Sequence, residues 1–236
     1  MKAKTTGKLG ILLFSLGAFV GLALVLFLTW ADLESRLFDP SLSAKSGVSL
    51  RCPPIMGLGE TVTVSASFDN PLDREARYTV RASISEGHVT LMRRLDTLLT
   101  LPPGERQRIE WEVSSKDAAY GLFALVKVHR FGFYPLPARQ GACGIVLAPL
   151  PLPGGLLFGG LLALIVLGMG GGAALWYRAH RPLHESSLDT ARVMGAFSVL
   201  VVLGLVMGLL NSWLVALVVL AVSVLLIVAL GIQRAG

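Results

Sequence analysis

The chain has 236 residues, 53% of them hydrophobic, and a formal net charge of +6. That apolar share is too high for an ordinary soluble domain, where about 45–50% is usual even with glycine counted. The basic surplus does not read as a nucleic-acid footprint either, because charges within residues 31–150 nearly cancel and the excess sits beside the apolar stretches.

Residues 1–8, with Lys2, Lys4 and Lys8, lead into an uncharged run, residues 9–30, long enough for a first membrane span. Thr29-Trp30-Ala31 is a small-x-small triplet and offers a rival reading, a signal peptide cut after Ala31. The apolar run exceeds the usual ~7–15 residues of a signal core, which favours an anchor. Residues 31–152 form a polar insert with flanking linkers. Apolar residues return at 153–177, followed by a basic loop at 178–192 with Arg178, Arg181 and Arg192. From Val193 to Ile232 no side chain is charged. A single helix of that length would reach roughly 60 Å, twice the ~30 Å hydrocarbon thickness, so it divides at Asn211-Ser212 into spans 193–210 and 212–232. Residues 233–236 make a short tail with Arg234. Basic residues in short flanks stay in the cytoplasm while long loops translocate regardless of charge. The expectation is a four-span protein of the plasma membrane, both termini cytoplasmic, with residues 31–152 outside.

Within the insert the dominant period is two. Thr61–Phe68, Tyr78–Ser85 and Arg108–Val113 alternate apolar with polar residues, and Leu122–His129 is apolar on both faces. Val48–Cys52, Val89–Arg94, Leu98–Leu101 and Ala142–Leu147 are weaker strands, and no run there reads as a helix. Turn residues such as Asp69-Asn70-Pro71 and Pro102-Pro103-Gly104-Glu105 separate the strands at the spacing of an all-β sandwich of immunoglobulin-like type. Cys52 and Cys143 both fall in the insert. In an oxidising compartment they read as one disulfide joining the first strand to the last; two buried thiols are the alternative.

Residues 48–147, with Val62-Thr63-Val64, Asn70-Pro71 and Pro102-Pro103-Gly104-Glu105 leading into Ile109-Glu110-Trp111-Glu112-Val113, resemble bacterial extracellular immunoglobulin-like modules of the CARDB type. The resemblance implies a spacer, adhesion or docking unit. Four spans with a large first outer loop also resemble claudins in topology alone, since the two cysteines are too widely spaced for that family's first loop.

Glycines four apart, Gly17 and Gly21, Gly155 and Gly159, Gly168 and Gly172, and Gly204 and Gly208, place small faces on three spans where helices can approach closely. No ionisable residue falls inside a span, which disfavours autonomous transport. His180 and His184, with Glu185 and Asp189, have metal-like spacing, but Pro182 breaks the helix that would align them. No catalytic arrangement, metal site or cofactor motif emerges. The segment Phe131-Gly132-Phe133-Tyr134-Pro135-Leu136-Pro137 is the best interaction candidate, through Phe131, Phe133 and Tyr134. The functional expectation is a non-catalytic membrane protein in the lipid bilayer, docking a protein or envelope partner through its outer domain. The alternative is an accessory subunit of a transport or secretion complex; an enzyme has no site to rest on.

Overall fold

The structure is a computed structural model that describes residues 2–42, 44–181 and 185–235; the side chains of 2–4, 185, 186, 230, 231 and 233–235 are not described. The chain divides into two compact units, residues 30–157 and the segments on either side of them.

Among the described residues, three helices are long and apolar enough to cross a membrane: Thr5–Leu37, Gly154–Ala179 and Ser187–Leu209. The first belongs to α1 (Lys2–Leu37), and the second to α2 (Gly154–Val166), a π turn (Leu167–Gly171) and α3 (Gly172–Ala179). The third belongs to α4 (Glu185–Leu209); α5 (Trp213–Ala235) follows, with a shorter apolar stretch over Trp213–Ala229 among the described residues. Between α4 and α5 the chain turns at Asn211, which takes φ of 55°, and Ser212 donates its N–H to Met207. The basic loop is shorter than expected, because α4 already begins at Glu185, where Glu185, Asp189 and Arg192 can stay helical. His184 and Pro182 lie outside the described residues.

Several expected packing glycines touch a neighbour closely. A Cβ on Gly17 would meet the Met169 backbone at 2.7 Å, and one on Gly168 would meet Gly17 Cα at 3.0 Å. Gly172 lies against Phe14 and Gly10 of α1, Gly21 against Val201, Gly204 against Val25, and Gly208 at looser distance against Leu28. Gly155 and Gly159 differ: among the described residues nothing lies within 4 Å of where their Cβ would be, so these leave the small face at the start of α2 open.

The unit of residues 30–157 holds nine strands among its described residues. β1 (Lys45–Ser46), β3 (Ile55–Gly57), β5 (Ala76–Glu86), β6 (His88–Leu101), β8 (Phe123–Arg130) and β9 (Arg139–Ala148) form a six-stranded mixed sheet in the order β1-β9-β8-β5-β6. β1 and β3 both run parallel to β9. A second sheet, antiparallel, has the order β2-β4-β7 from β2 (Leu50–Arg51), β4 (Thr61–Asp69) and β7 (Arg106–Ser114). Alternation puts Val64, Ala66, Phe68, Trp111 and Val113 of the small sheet into one core with Tyr78, Val80, Ala82, Ile84, Val126 and Val128 of the large one. The expected strands at Val89–Arg94 and Leu98–Leu101 are a single strand. Asp96 between them is not a break, because its carboxylate takes two hydrogen bonds from Arg81 on β5, at 2.6 and 2.7 Å.

The chain crosses from the small sheet to the large one at Cys52-Pro53-Pro54, and the Cys52–Cys143 disulfide pins that crossing to β9. Cys143 is fully buried in the core. Cys52 lies in the crossing rather than in a strand, which modifies the expected link between first and last strands.

The insert also contains helix where none was expected. α1 continues to Leu37, past the anticipated end at Trp30. The Trp30 indole donates to Glu34, Asp32 pairs with Arg36 one turn on, and Ala31 and Phe38 bury against Phe123 and Leu125 on the outer face of the six-stranded sheet. Gly144 of β9 lies directly under the Ala31 backbone, where any side chain would collide.

Candidate functional site

Strand directions sort the loops of the β unit into two ends. β3 and β9 finish, and β8 begins, at one end: Gly57 pairs with Ala148, and Phe123 with Val146. The turns at 58–60 and 86–88, the segment 115–122 and the link 149–153 into α2 all lie there. At the opposite end lie the loops 70–75, 102–105 and 131–138, adjoining Asp69, Arg106, Arg130 and Arg139. Ten residues of β9 separate the ends by about 33 Å.

The three aromatic residues singled out in the sequence sit at this distal end and do different things. Phe133 turns inward, with its ring edge-on to the buried Tyr78 at 5.2 Å. Phe131 is half-buried on the outer face, 4.8 Å from the His129 ring and under the Arg81 guanidinium at 5.3 Å. Tyr134 stands free, 89% exposed. Leu98, 71% exposed on β6, is across Thr79 from Phe131: Leu98 pairs with Thr79, whose carbonyl accepts the Phe131 N–H. Asn70, buried, holds the neighbouring loops by donating to the carbonyls of Arg74, Leu101 and Pro102. Exposed apolar side chains are thus displayed on a stiff frame. β6 is also an edge strand of fourteen residues, with a free backbone edge.

Beneath the distal outer face is a buried charge cluster that sequence reading missed. Lys127 of β8, almost wholly buried, donates to the carbonyls of Phe38 and Asp39 at 2.9 and 3.0 Å. A cation is thereby set against the negative C-terminal end of α1. Asp39, with φ of 45°, accepts hydrogen bonds from Ser41, from Ser83 at 2.7 Å and from Arg94 at 3.4 Å. Burial raises its carboxyl, but the hydroxyl hydrogen bonds and the charges of Arg94 and Lys127 carry it below the usual carboxylate range. Burial lowers Lys127, with Asp39 opposing. Burial, then Lys127 and Arg81, lower His129, and its Nδ1 has no hydrogen-bond partner among the described residues. The signal was in the sequence only as Lys127 in an apolar strand; its partner lies 88 positions away.

Among the described residues no group of three His, Cys, Asp or Glu could hold a metal ion. His180 donates from Nδ1–H to the Trp176 carbonyl, 2.9 Å away, and stacks on that indole. His88 rests edge-on to Tyr120.

No protein-family model matches the chain, and no curated protein matches it. Among solved structures, a Pseudomonas fluorescens alkylpurine DNA glycosylase bound to abasic-site DNA aligns at 18% identity and a TM-score of 0.33, over 43% of this chain and 30% of that one. A Bacteroides uniformis β-glucuronidase aligns at 14% identity and 0.33, over 46% and 14%. A Listeria innocua β-glucosidase aligns at 15% and 0.31, over 47% and 17%. The chain spans less than a third of each of these proteins, and likeness at this level carries no argument about fold or activity.

Proposed function

We propose that this is a non-catalytic, multi-pass membrane protein whose β unit is an extracytoplasmic immunoglobulin-like sandwich that docks a protein partner. One observation carries the reading: Tyr134 is displayed, 89% exposed, at the end of the β unit remote from the start of α2, in the same loop as Phe131, which lies under Arg81. Tyrosine and arginine are the residue types that dominate binding energy at protein interfaces. The paired cysteines support an oxidising side for this unit, and Lys8, Arg178, Arg181 and Arg192 support a cytoplasmic side for the helix ends they flank. The same charges support an orientation of the proposed four spans with both termini inside.

A mild-detergent pull-down of the full chain tests the reading. Tyr134→Asp combined with Leu98→Asp abolishes recovery of the copurifying protein while the disulfide and thermal stability persist; undiminished recovery overturns it. A second reading, an accessory subunit that joins a transport or secretion complex through its helices, is favoured by the open small face at Gly155 and Gly159. In that case Gly155→Ile and Gly159→Ile, and not the distal changes, release the partner.

A further inference from the structure

The opposite end of the β unit carries a collar of its own. Leu58, Tyr120, Leu122, Leu150 and Leu152 are all 44–66% exposed there. They are not scattered. Leu58 donates its N–H to the Leu150 carbonyl, Leu122 accepts from Leu147, and Tyr120 donates to Gly87 at the β5–β6 turn. Gly57 packs on the Leu152 backbone so closely that no side chain fits. Glu60 fixes the whole end to α2: its carboxylate accepts the N–H of Gly57 at 2.6 Å and that of Gly154, the first residue of the helix, at 2.8 Å. A carboxylate at a helix N-terminus is favoured by the helix dipole.

The length of the helix says what covers this collar. The apolar stretch Gly154–Ala179 has 26 residues. At 1.5 Å per residue that is about 39 Å, longer than the ~30 Å hydrocarbon core but no longer than the ~40–45 Å of core plus headgroups. Gly154 therefore lies within the headgroup layer when the helix spans. Glu60, bonded to it, and Leu152, two positions before it, lie there too; the Leu58–Leu150 hydrogen bond and the Gly57–Leu152 contact bring that strand end alongside, and Leu122, bonded to Leu147, borders it. Leucines and an exposed tyrosine suit that depth, where an apolar body and a polar tip are both accommodated.

We infer that the α2 end of the β unit is a lipid-binding surface, in which Leu58, Tyr120, Leu122, Leu150 and Leu152 insert into the interfacial layer of the bilayer. This rests on the reading of α2 as a membrane span. The full-length protein, with its disulfide intact, is reconstituted into phosphatidylcholine vesicles after single changes to cysteine and nitroxide labelling at Leu58, Leu122, Leu150, Tyr134 and Leu164. Accessibility to oxygen and to a water-soluble nickel chelate is then measured by electron spin resonance. Labels at 58, 122 and 150 give an oxygen-to-nickel ratio several-fold above that at 134 and below that at 164, in the middle of the helix. Ratios at 58, 122 and 150 equal to that at 134, with 164 still lipid-like, overturn the inference alone. Labels at 58, 122 and 150 shielded from both reagents also overturn it, because protein then covers the collar. A water-like 164 overturns the span itself.

Discussion

At the scale of single residues the β unit is organised by charges it has taken out of water. Asp39 and Lys127 are each at least nine-tenths buried, which is tolerable only because every strong demand of the pair is met by Ser41, Ser83, Arg94 and two backbone carbonyls. His129 shares that surrounding: burial first, then Lys127 and Arg81, disfavour its charge, while Asp39 favours it. The acid response follows. A histidine with a folded-state pKa below its unfolded value binds more protons when unfolded, so stability falls as pH drops below ~6.5. Asp39 acts in the same direction lower down: its depressed pKa contributes stability present above ~3.9, lost as acid protonates the folded carboxyl. Thermal melts should therefore show a falling Tm between pH 7 and 5, and His129→Gln should flatten that interval while leaving the steeper loss at lower pH in place. A wild-type Tm constant from pH 7 to 5 would contradict the account. None of this was legible beforehand, because the sequence shows a lysine and a histidine two apart on one strand and an aspartate 88 positions from that lysine, with no sign that they meet.

Elements were legible where periodicity is long and clean. β4, β5, β7 and β8 fall within a few residues of the expected strands because Val62, Val64, Ala66 and Phe68, and their counterparts, alternate without interruption. β1 and β3 were not, since two or three residues hold no period, and Pro53-Pro54 beside Ile55 reads as a loop. The largest departure is at α1. Composition marks where hydrocarbon would stop, at Trp30, whereas the helix stops where Asp39 takes a left-handed conformation and Lys127 receives its carbonyls. Its last turns are held as much by shape as by charge, because β9 offers a glycine under Ala31. Gly144→Val should push those turns off the sheet and lower unfolding stability by about 1–3 kcal/mol, the range for forcing atoms into a packed site. Chemical denaturation followed at Trp111 reads it, and a change within experimental error would show that α1 yields freely.

For the whole molecule, one covalent link and two polar fastenings define how the β unit is closed. The disulfide encloses a loop with a sequence separation of 91, worth roughly 4–5 kcal/mol of unfolded-state entropy. Cys52→Ala with Cys143→Ala should lower stability by about that amount while leaving the strand content seen by circular dichroism intact at low temperature; an unchanged melt would show that the two sheets need no such tie. Sequence gave the pairing of these cysteines but not its place, at the point where the chain changes sheets. The polar fastenings have another meaning. Lys127 holds the two carbonyls that follow α1 and Glu60 the first N–H of α2, so both ends of the β unit's own stretch of chain are fastened to it. A fragment begun after Asp39 would bury the Lys127 ammonium with neither carbonyl left to receive its protons, whereas one begun at Trp30 keeps both.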